Sequence, residues 1–443
     1  SFVWPATVPP APRDTEETLV ILPLHHRSDR AEIESGLKRL GAGSLLFLRA
    51  IEEIEWRAVG GSSGLYLRSQ PDWFGDWVRR ITVVGQIEGS ADVEESWLIF
   101  SKPVCTPEGE GAGHVEVAFS LGRDAKSGRE TVRPVSRSPL VVFFPTALET
   151  HLGFLVQGPY RTTPSRDNVP AQDAWNRHCM AETAAVLREA LVWLRDNGHL
   201  DAGVLRCLPV ARAKFPEGAM FTPIFEAVRS SLAEEALLPR HGGGHVSAKE
   251  ARLARTQELR ELLGPAQLTA LLGTQSELTW LSGDISQDRT PELREYLIEE
   301  LQIDEIRPEI LLTKLSTAFL EVQPDEWVRR LYEFLCDQKA LLSRTRELSL
   351  VRLDDGRHIQ AQVNGQPQAF LPGAVATGFP TVRPAVCSTE ASIAFLKALG
   401  LTEPDLVDDV IVNILPRYSG GRATLEMATY AADNERILHT YWT

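Results

Sequence analysis

The sequence predicts an α+β protein: a mainly antiparallel sheet, then a helical region, then a small mixed α/β part at the C-terminal end. Between about residue 60 and residue 157, nearly all segments are short apolar runs bounded by Gly, Pro and charged loops, as expected for strands. Residues 173–197 carry apolar side chains at helical spacing and end at Asn197-Gly198, a favourable helix C-terminus. From FTPIFEAVRSSLAEEALLP to about Ser343 the pattern is almost wholly helical.

The N-terminal segment shows a strand–helix–strand pattern. ETLVILPLHH, residues 17–26, is typical of a strand, and residues 30–40 have apolar positions at helical spacing. The run GSLLFLRAIEEIEW, residues 43–56, then carries apolar residues into a second strand. This order places a helix between two strands before the antiparallel sheet begins.

The run Leu140 to Phe144 is apolar at every position. A strand of this kind is expected at the centre of a sheet, covered on both faces. We predict that Leu187 and Leu191, on the apolar stripe of the helix at residues 173–197, are buried against it.

In the C-terminal half, a glycine-rich segment and a return of strand signals mark changes from one predicted region to the next. His241 and His245 in HGGGH have the i, i+4 spacing of zinc ligands on a helix, but three intervening glycines disfavour a helix and predict a flexible linker. Strand signals return at residues 348–372, which predict a hairpin or meander, and a compact helical unit follows.

Composition excludes several classes of protein. The chain has 443 residues, 43% of them hydrophobic, and no apolar run approaches the ~20 residues that a membrane span requires. Its net charge of -14 disfavours nucleic acid as a partner, because phosphate binding depends on concentrated Lys and Arg. The 5 cysteines lie far apart, which predicts neither disulfides nor a metal site and favours a cytoplasmic protein.

The segment GFLVQGPYRTTPSRDNVP, residues 153–170, is the main candidate for chemistry. Pro164 and Pro170 restrict the backbone, and Ser165 is placed to cap a short turn in which Asn168 stands three residues later. Arg166 would then project from this turn just before the long helix. A guanidinium held there suits a phosphate, since it donates two hydrogen bonds and keeps its charge. The alternative is that Arg161 and Arg166 pair with carboxylates between strand and helix.

Residues 141–191, VVFFPTALETHLGFLVQGPYRTTPSRDNVPAQDAWNRHCMAETAAVLREAL, resemble the segment that follows the ATP-binding domain in sacsin and bacterial sacsin-like proteins. They are similar, more distantly, to the middle domain of the ninety-kilodalton heat-shock chaperones, and both groups are GHKL ATPases. In those chaperones a Leu-Asn-x-Ser-Arg-Glu loop precedes a long helix, and its arginine reaches the terminal phosphate of ATP. The resemblance therefore implies that Arg166 contacts phosphate, with Ser165, Asn168 and Arg161 in support and Asp167 as an acid at the start of the helix.

The resemblance also implies a domain organisation. Residues 1–28 would be the end of an upstream nucleotide-binding domain or a linker, and residues 29–240 a chaperone-middle-domain-like α/β sandwich with a βαβ unit and a mainly antiparallel sheet. Residues 241–345 would form a helical domain, and residues 346–443 a small mixed α/β domain. VRLDDGRHIQAQ and FPTVRP are similar to the rest of the bacterial sacsin-like region.

The motifs that hold nucleotide in this family, a Glu-x-x-x-Asn helix and DxGxG, do not occur in these residues. The resemblance thus implies that ATP and Mg bind to an upstream domain, and that this chain itself holds no cofactor or metal. Its implied partners are that ATP-binding domain and a client or partner protein, with a homodimer left open. The alternative function is a non-catalytic interaction scaffold in a bacterial defence or repair assembly.

Overall fold

The computed structural model describes residues 32–37, 42–58, 63–124, 128–373, 377–418 and 427–442. Residues 32–37 are helical, in agreement with the helix predicted at residues 30–40. The strand predicted at residues 17–26, and all of the segment 1–28, lie outside the described residues. Residues 42–45 form a 3-10 helix, so the run at residues 43–56 becomes a strand only at its end.

A large sheet occupies the first half of the described chain. Its strands are β1 (Glu53–Arg57), β2 (Ser63–Arg68), β3 (Asp72–Phe74), β4 (Val78–Ile87), β5 (Val93–Cys105), β6 (Gly111–Arg123), β7 (Glu130–Arg133), β8 (Pro139–Val142), β9 (Phe144–Glu149) and β10 (Leu155–Gln157). The main order is β1-β2-β4-β5-β6-β10-β8-β9, with β3 beside β4 and β7 beside β6. Only β8 and β10 pair in parallel, so the sheet is mainly antiparallel, as predicted.

The position of β8 corrects the expectation for Leu140 to Phe144. This strand is second from the edge of the sheet, and it ends at Val142. Phe143 has a φ of 63° and is 53% exposed, and Phe144, the first residue of the edge strand β9, is 40% exposed. The continuous apolar run therefore reflects a turn with two exposed aromatic rings, not one central strand.

The helix α1 (Ala174–Asp196) covers one face of the sheet, close to β5 and β6. It begins at Asp173, whose side chain accepts hydrogen bonds from the backbone N–H groups of Trp175 and Asn176, and it ends at Asn197. A side-chain cap of this kind satisfies donors that have no partner within the helix. Both predicted ends are confirmed.

Leu187 and Leu191 lie on the buried stripe of α1 and are 0% exposed. They share a hydrophobic core with Leu140 and Val142 and with the apolar residues of β5 and β6. We expect Leu191→Ala to lower the free energy of unfolding by about 2–5 kcal/mol, through lost burial and the cavity left behind. Urea unfolding followed by tryptophan fluorescence would measure this, and Val192→Ala, at a half-buried position, is the matched control.

A second core covers the opposite face of the sheet. The buried residues 45–48, which start at the last residue of the 3-10 helix, pack there against Trp56, Tyr66, Trp97 and Ile99. Alternate residues of β6 consequently face different cores, with Val117 and Phe119 toward α1 and Ala118 toward residues 45–48. The sheet is thus buried on both faces near its centre.

The middle of the chain consists of helices and very short strands. The helices are α2 (Ala202–Cys207), α3 (Thr222–Glu234), α4 (Gln257–Leu262), α5 (Pro265–Leu272), α6 (Pro291–Glu299), α7 (Pro308–Lys314), α8 (Thr317–Glu321), α9 (Asp325–Asp337) and α10 (Leu342–Thr345). The strands are β11 (Leu238–Pro239), β12 (His245–Val246), β13 (Ala251–Ala254), β14 (Thr279–Trp280) and β15 (Glu305–Ile306). Strands β14, β13 and β15 form a parallel sheet that the helical pattern did not predict.

The segment HGGGH is part of a hairpin between β11 and β12, which corrects the expectation of a flexible linker. Gly242, Gly243 and Gly244 all have positive φ angles, which glycine adopts without strain. The ring nitrogen Nε2 of His245 lies 2.8 Å from the carbonyl oxygen of Leu200.

The C-terminal part contains the predicted hairpins and helical unit. Strands β16 (Val351–Arg352) and β17 (His358–Ile359) pair, as do β18 (Gln362–Val363) and β19 (Gln366–Pro367). The helices are α11 (Glu390–Ala398), α12 (Leu406–Asp409) and α13 (Met427–Trp442), with a π-helical turn at Val410–Ile414.

The hydrophobic cores extend across the proposed domain limits. The core around α1 includes residues as far along the chain as Ile303, and a third core runs from Leu259 to Leu401. The limits at residues 240 and 345 therefore stay predictions. Within the described residues, no helix is both long enough and apolar enough to cross a membrane.

Buried His358 makes the stability of the folded chain depend on pH. The side chain is 5% exposed, and burial, followed by the charge of Arg352, lowers its pKa from 6.5 to about 4. Between these two pH values the unfolded chain binds the proton and the folded chain does not. Stability therefore falls as the pH decreases from about 6.5 to about 4, by up to about 1.4 kcal/mol per pH unit.

We expect His358→Gln to flatten the curve of unfolding free energy against pH in this interval. The measurement is urea unfolding at several pH values, with His178→Gln, at an exposed position, as the control. A variant curve with the same slope as the unaltered chain between pH 6.5 and pH 4 would contradict this assignment.

Candidate functional site

The loop that carries Arg166 joins β10 to α1, and a buried asparagine ties its two ends together. Asn176 is 0% exposed, and its Oδ1 accepts a hydrogen bond from the backbone N–H of Arg161 at 2.7 Å. Its Nδ2 donates to the carbonyl oxygens of Arg161 and Pro170, each at 3.0 Å. One side chain therefore fixes both the start and the end of the loop on the first turn of α1.

Two aromatic residues strengthen this attachment. Trp175 Nε1 donates to the carbonyl oxygen of Pro159 at 2.8 Å, and the Tyr160 hydroxyl lies 2.8 Å from that of Thr183. Complete burial raises the pKa of Tyr160, so the phenol stays protonated and serves as a hydrogen-bonding group of the core.

Within the loop, Thr163 closes the turn that was assigned to Ser165. The Thr163 hydroxyl donates to Asp167 Oδ1 at 2.6 Å and accepts from the backbone N–H of Asn168 at 3.2 Å. Backbone bonds join Thr163 N–H to Asn168 and Arg166 N–H to Thr163, each at 2.9 Å. The turn is real, but its capping hydroxyl lies two residues earlier than predicted.

Asp167 is not at the start of the helix, which corrects the role implied for it. It lies in the loop, and the N-cap position belongs to Asp173. Hydrogen bonds from the hydroxyls of Thr163 and then Ser165 lower the pKa of Asp167, so its carboxylate is charged at neutral pH. Ser165 and Asp167 thus contribute to the shape of the loop.

Arg166 occupies the left-handed region of backbone conformation, with a φ of 57°. Non-glycine residues adopt this conformation only where surrounding contacts hold it, and such positions are often functional. The carbonyl oxygen of Arg166 accepts a bond from the N–H of Ala147 on β9 at 3.4 Å, which attaches the loop to the edge of the sheet.

The guanidinium of Arg166 bonds to backbone carbonyls. Its Nη2 donates to the carbonyl oxygen of Val142 and, at 3.3 Å, to that of Phe144. These two residues flank Phe143, so Arg166 holds the β8–β9 turn in place. Among the described residues the guanidinium forms no ion pair, and the half-buried side chain leaves its Nη1 without a hydrogen-bond partner. Its Nε is buried and also has none.

Arg161 behaves differently. Its side chain is 69% exposed, and its Nη1 lies 3.5 Å from Asp173 Oδ2. Within the described part of the chain, the strand-to-helix ion pair considered for both arginines therefore forms only at Arg161. An exposed pair at this distance contributes little to stability.

The described residues contain no group of three or more His, Cys, Asp or Glu side chains that could hold a metal ion. Burial raises the pKa of the Cys179 and Cys207 thiols to about 12, so both stay protonated and are poor nucleophiles.

Sequence reasoning missed a polar cluster on the sheet face that residues 45–48 cover. Glu116, on β6, is 1% exposed, and its Oε1 accepts hydrogen bonds from Ser101, Arg79 and Arg49. Because side chains alternate along β6, Glu116 and Val117 lie on opposite faces of the sheet. A polar residue at such a position is equally typical of a strand with one solvated face, so the sequence does not show that Glu116 is buried.

Comparison of the chain with protein-family models, with curated proteins and with the solved structures finds no match. The fold and the contacts of individual side chains therefore carry the functional argument.

Proposed function

We propose that this chain is the middle and C-terminal segment of a sacsin-like, heat-shock-chaperone-like ATPase. In this proposal residues 29–240 are the chaperone-middle-domain-like unit, and Arg166 contacts the terminal phosphate of ATP bound in a preceding domain. The remaining parts couple hydrolysis to the handling of a client or partner protein, in the cytoplasm, with a homodimer left open. ATP and Mg would be held by the preceding domain.

The bonding of Arg166 is the observation that supports this proposal best. Two carbonyl oxygens orient the guanidinium, yet a carbonyl carries no net charge, so the positive charge is not neutralised. A phosphate approaching Nη1 would meet a cation already fixed in direction. Such prearranged charge is what stabilises a transferring phosphoryl group.

The position of the loop supports the same function. Arg166 lies at an edge of the sheet, attached to β9 and followed by α1, which is anchored through Asn176. Side chains held on rigid elements keep their geometry when another domain closes over them. The test is ATP turnover by the protein together with its ATP-binding domain, with and without Arg166→Ala.

The same contacts of Arg166 also fit a second function, the non-catalytic interaction scaffold. Bonds to the carbonyls of Val142 and Phe144 give Arg166 a structural task that needs no phosphate. Under this alternative, Arg166→Ala lowers the thermal unfolding midpoint of the chain and leaves turnover unchanged.

We expect the 443-residue chain to bind ATP weakly, with a dissociation constant above the low micromolar range. One guanidinium can meet one phosphate, but it provides neither an adenine pocket nor a magnesium ligand. Isothermal titration calorimetry of ATP with Mg²⁺ into the chain measures this. A dissociation constant of a few micromolar would contradict the assignment of the nucleotide site to a preceding domain.

A further inference from the structure

A cavity of about 390 Å³ lies between the segment 47–51 and the sheet. This volume is within the range of pockets that bind small organic molecules. The larger apolar residues of its walls are Phe47, Leu48, Ile51, Phe143 and Pro159. Phe143 belongs to the turn that Arg166 holds, so that turn forms one wall of the cavity.

A row of polar residues crosses the sheet beneath these apolar walls. Ser101 on β5 is the cross-strand neighbour of Glu116 on β6, and Glu116 is the neighbour of Gln157 on β10. Glu116 and Gln157 line the cavity and are 1% and 4% exposed. The cavity therefore combines apolar walls with buried polar groups, as binding sites for small molecules do.

Gln157 is the polar group whose contacts are incomplete. Among the described residues its Oε1 is buried without a hydrogen-bond partner. Buried amides are nearly always hydrogen-bonded, because an unmade bond costs stability. An unpartnered amide on the wall of a cavity points to a ligand that supplies the missing partner.

The charges at the cavity favour an anion. Arg49 and Arg79 both donate to Glu116 Oε1 at 2.9 Å, so two guanidinium groups face one carboxylate. Nearby, Arg68 and Glu52 add one charge of each sign. Burial, followed by the charge of Arg49, lowers the pKa of His114 on the cavity wall, which keeps that ring neutral at pH 7.

Arg49 is the group best placed to use this excess charge. Its side chain is 53% exposed and lines the cavity, and among the residues that the structure describes only its Nη2 is bonded, to Glu116 and Ser101. Its Nε and Nη1 remain for another acceptor. Arginine binds carboxylates through two parallel N–H groups, which gives both strength and direction.

We propose that this cavity binds a small carboxylic acid with an aromatic or branched apolar body. The carboxylate pairs with Arg49 and receives a hydrogen bond from the Gln157 amide, and the apolar body packs between Phe47, Ile51 and Phe143. The site does not depend on ATP, so it stands or fails separately from the phosphate contact of Arg166.

The test uses 3-phenylpropanoate as the probe and 3-phenylpropanamide as its uncharged counterpart, each titrated into the 443-residue chain at pH 7 by calorimetry or ligand-observed NMR. We expect the acid to bind with a dissociation constant at or below about 1 mM, a reasonable affinity for a ligand of this size. The amide should bind at least about tenfold more weakly, since it lacks the charge that pairs with Arg49. Equal affinity for both compounds would overturn the proposal. So would the absence of binding when the acid is present at about tenfold the expected dissociation constant of 1 mM.

Three variants locate the site. Arg49→Ala is expected to weaken binding of the acid by about tenfold. Ile51→Trp replaces an exposed wall residue by a larger one and should abolish binding by filling the cavity. Arg57→Ala, an exposed arginine on the same sheet but outside the cavity, is the matched control and should bind the acid normally. Binding that survives Ile51→Trp would place the ligand elsewhere and refute the assignment.

Discussion

Arg166→Ala should lower the kcat of ATP hydrolysis by at least about tenfold, in the protein that carries its ATP-binding domain, while leaving the affinity for ATP nearly unchanged. Arginines that stabilise a transferring phosphoryl group contribute ~10³–10⁵ in rate in well-characterised enzymes, which sets the upper end of the effect. Affinity should change little because the proposed contact is with the terminal phosphate alone. Steady-state turnover and calorimetric ATP binding together separate the two quantities.

Two substitutions control this experiment. Arg166→Lys keeps a positive charge but loses the planar pair of donors, so it should recover only part of the rate. Arg161→Ala removes an exposed arginine of the same loop, five residues earlier, and should leave kcat within about twofold because surface ion pairs contribute little. If Arg166→Ala unfolds the chain or leaves turnover unchanged, the arginine is a structural clamp of the β8–β9 turn and the scaffold function gains.

The regular parts of the fold could be predicted from local chemistry. Short apolar runs bounded by Gly, Pro and charged loops located the long strands β4, β5 and β6. The ends of α1 were equally accessible, since an N-cap aspartate and an Asn-Gly pair satisfy backbone groups within the segment itself.

The errors arose where structure depends on distant contacts. Strands of two to four residues, such as β13 to β15, are too short for a period to appear in the sequence. The Leu140 to Phe144 run looked like a central strand because the sequence does not show that Phe143 has a left-handed backbone or that Arg166 holds the carbonyls on either side of it.

The sequence predicted the loop of the candidate site, but not which side chains form its hydrogen bonds. Two prolines and a cluster of hydroxyl and amide side chains indicated a turn before α1. Which hydroxyl would cap it depended on backbone geometry, and Thr163 took the role expected of Ser165. The polar cluster at Glu116 was hidden because burial of a strand's second face depends on residues 45–48, far away in sequence.

Glu116→Leu is expected to lower the free energy of unfolding by about 3–5 kcal/mol, the usual cost of removing one partner from a buried ion pair. Glu116 and Arg79 are 1% and 4% exposed, so Arg79 has no access to water when its partner is removed. Arg79 Nη1 is already buried without a hydrogen bond, and the substitution would add Nη2 to the unpaired donors. Arg49, at 53% exposure, can turn to solvent and should add little to the loss.

The double variant Arg79→Leu with Glu116→Leu tests whether the unpaired buried charge of Arg79 causes the loss of stability in Glu116→Leu. It removes both charges together, and replacing a buried pair by apolar side chains is often close to neutral, so it should recover most of the stability lost in Glu116→Leu. The stability of Glu116→Gln should lie between those of Glu116→Leu and the double variant. Its amide oxygen remains an acceptor for Ser101 and Arg79, but the negative charge is lost. Urea unfolding of all three chains, followed by tryptophan fluorescence, provides the comparison. If the double variant is no more stable than Glu116→Leu, the loss comes from packing around the sheet and not from an arginine left without its counter-charge.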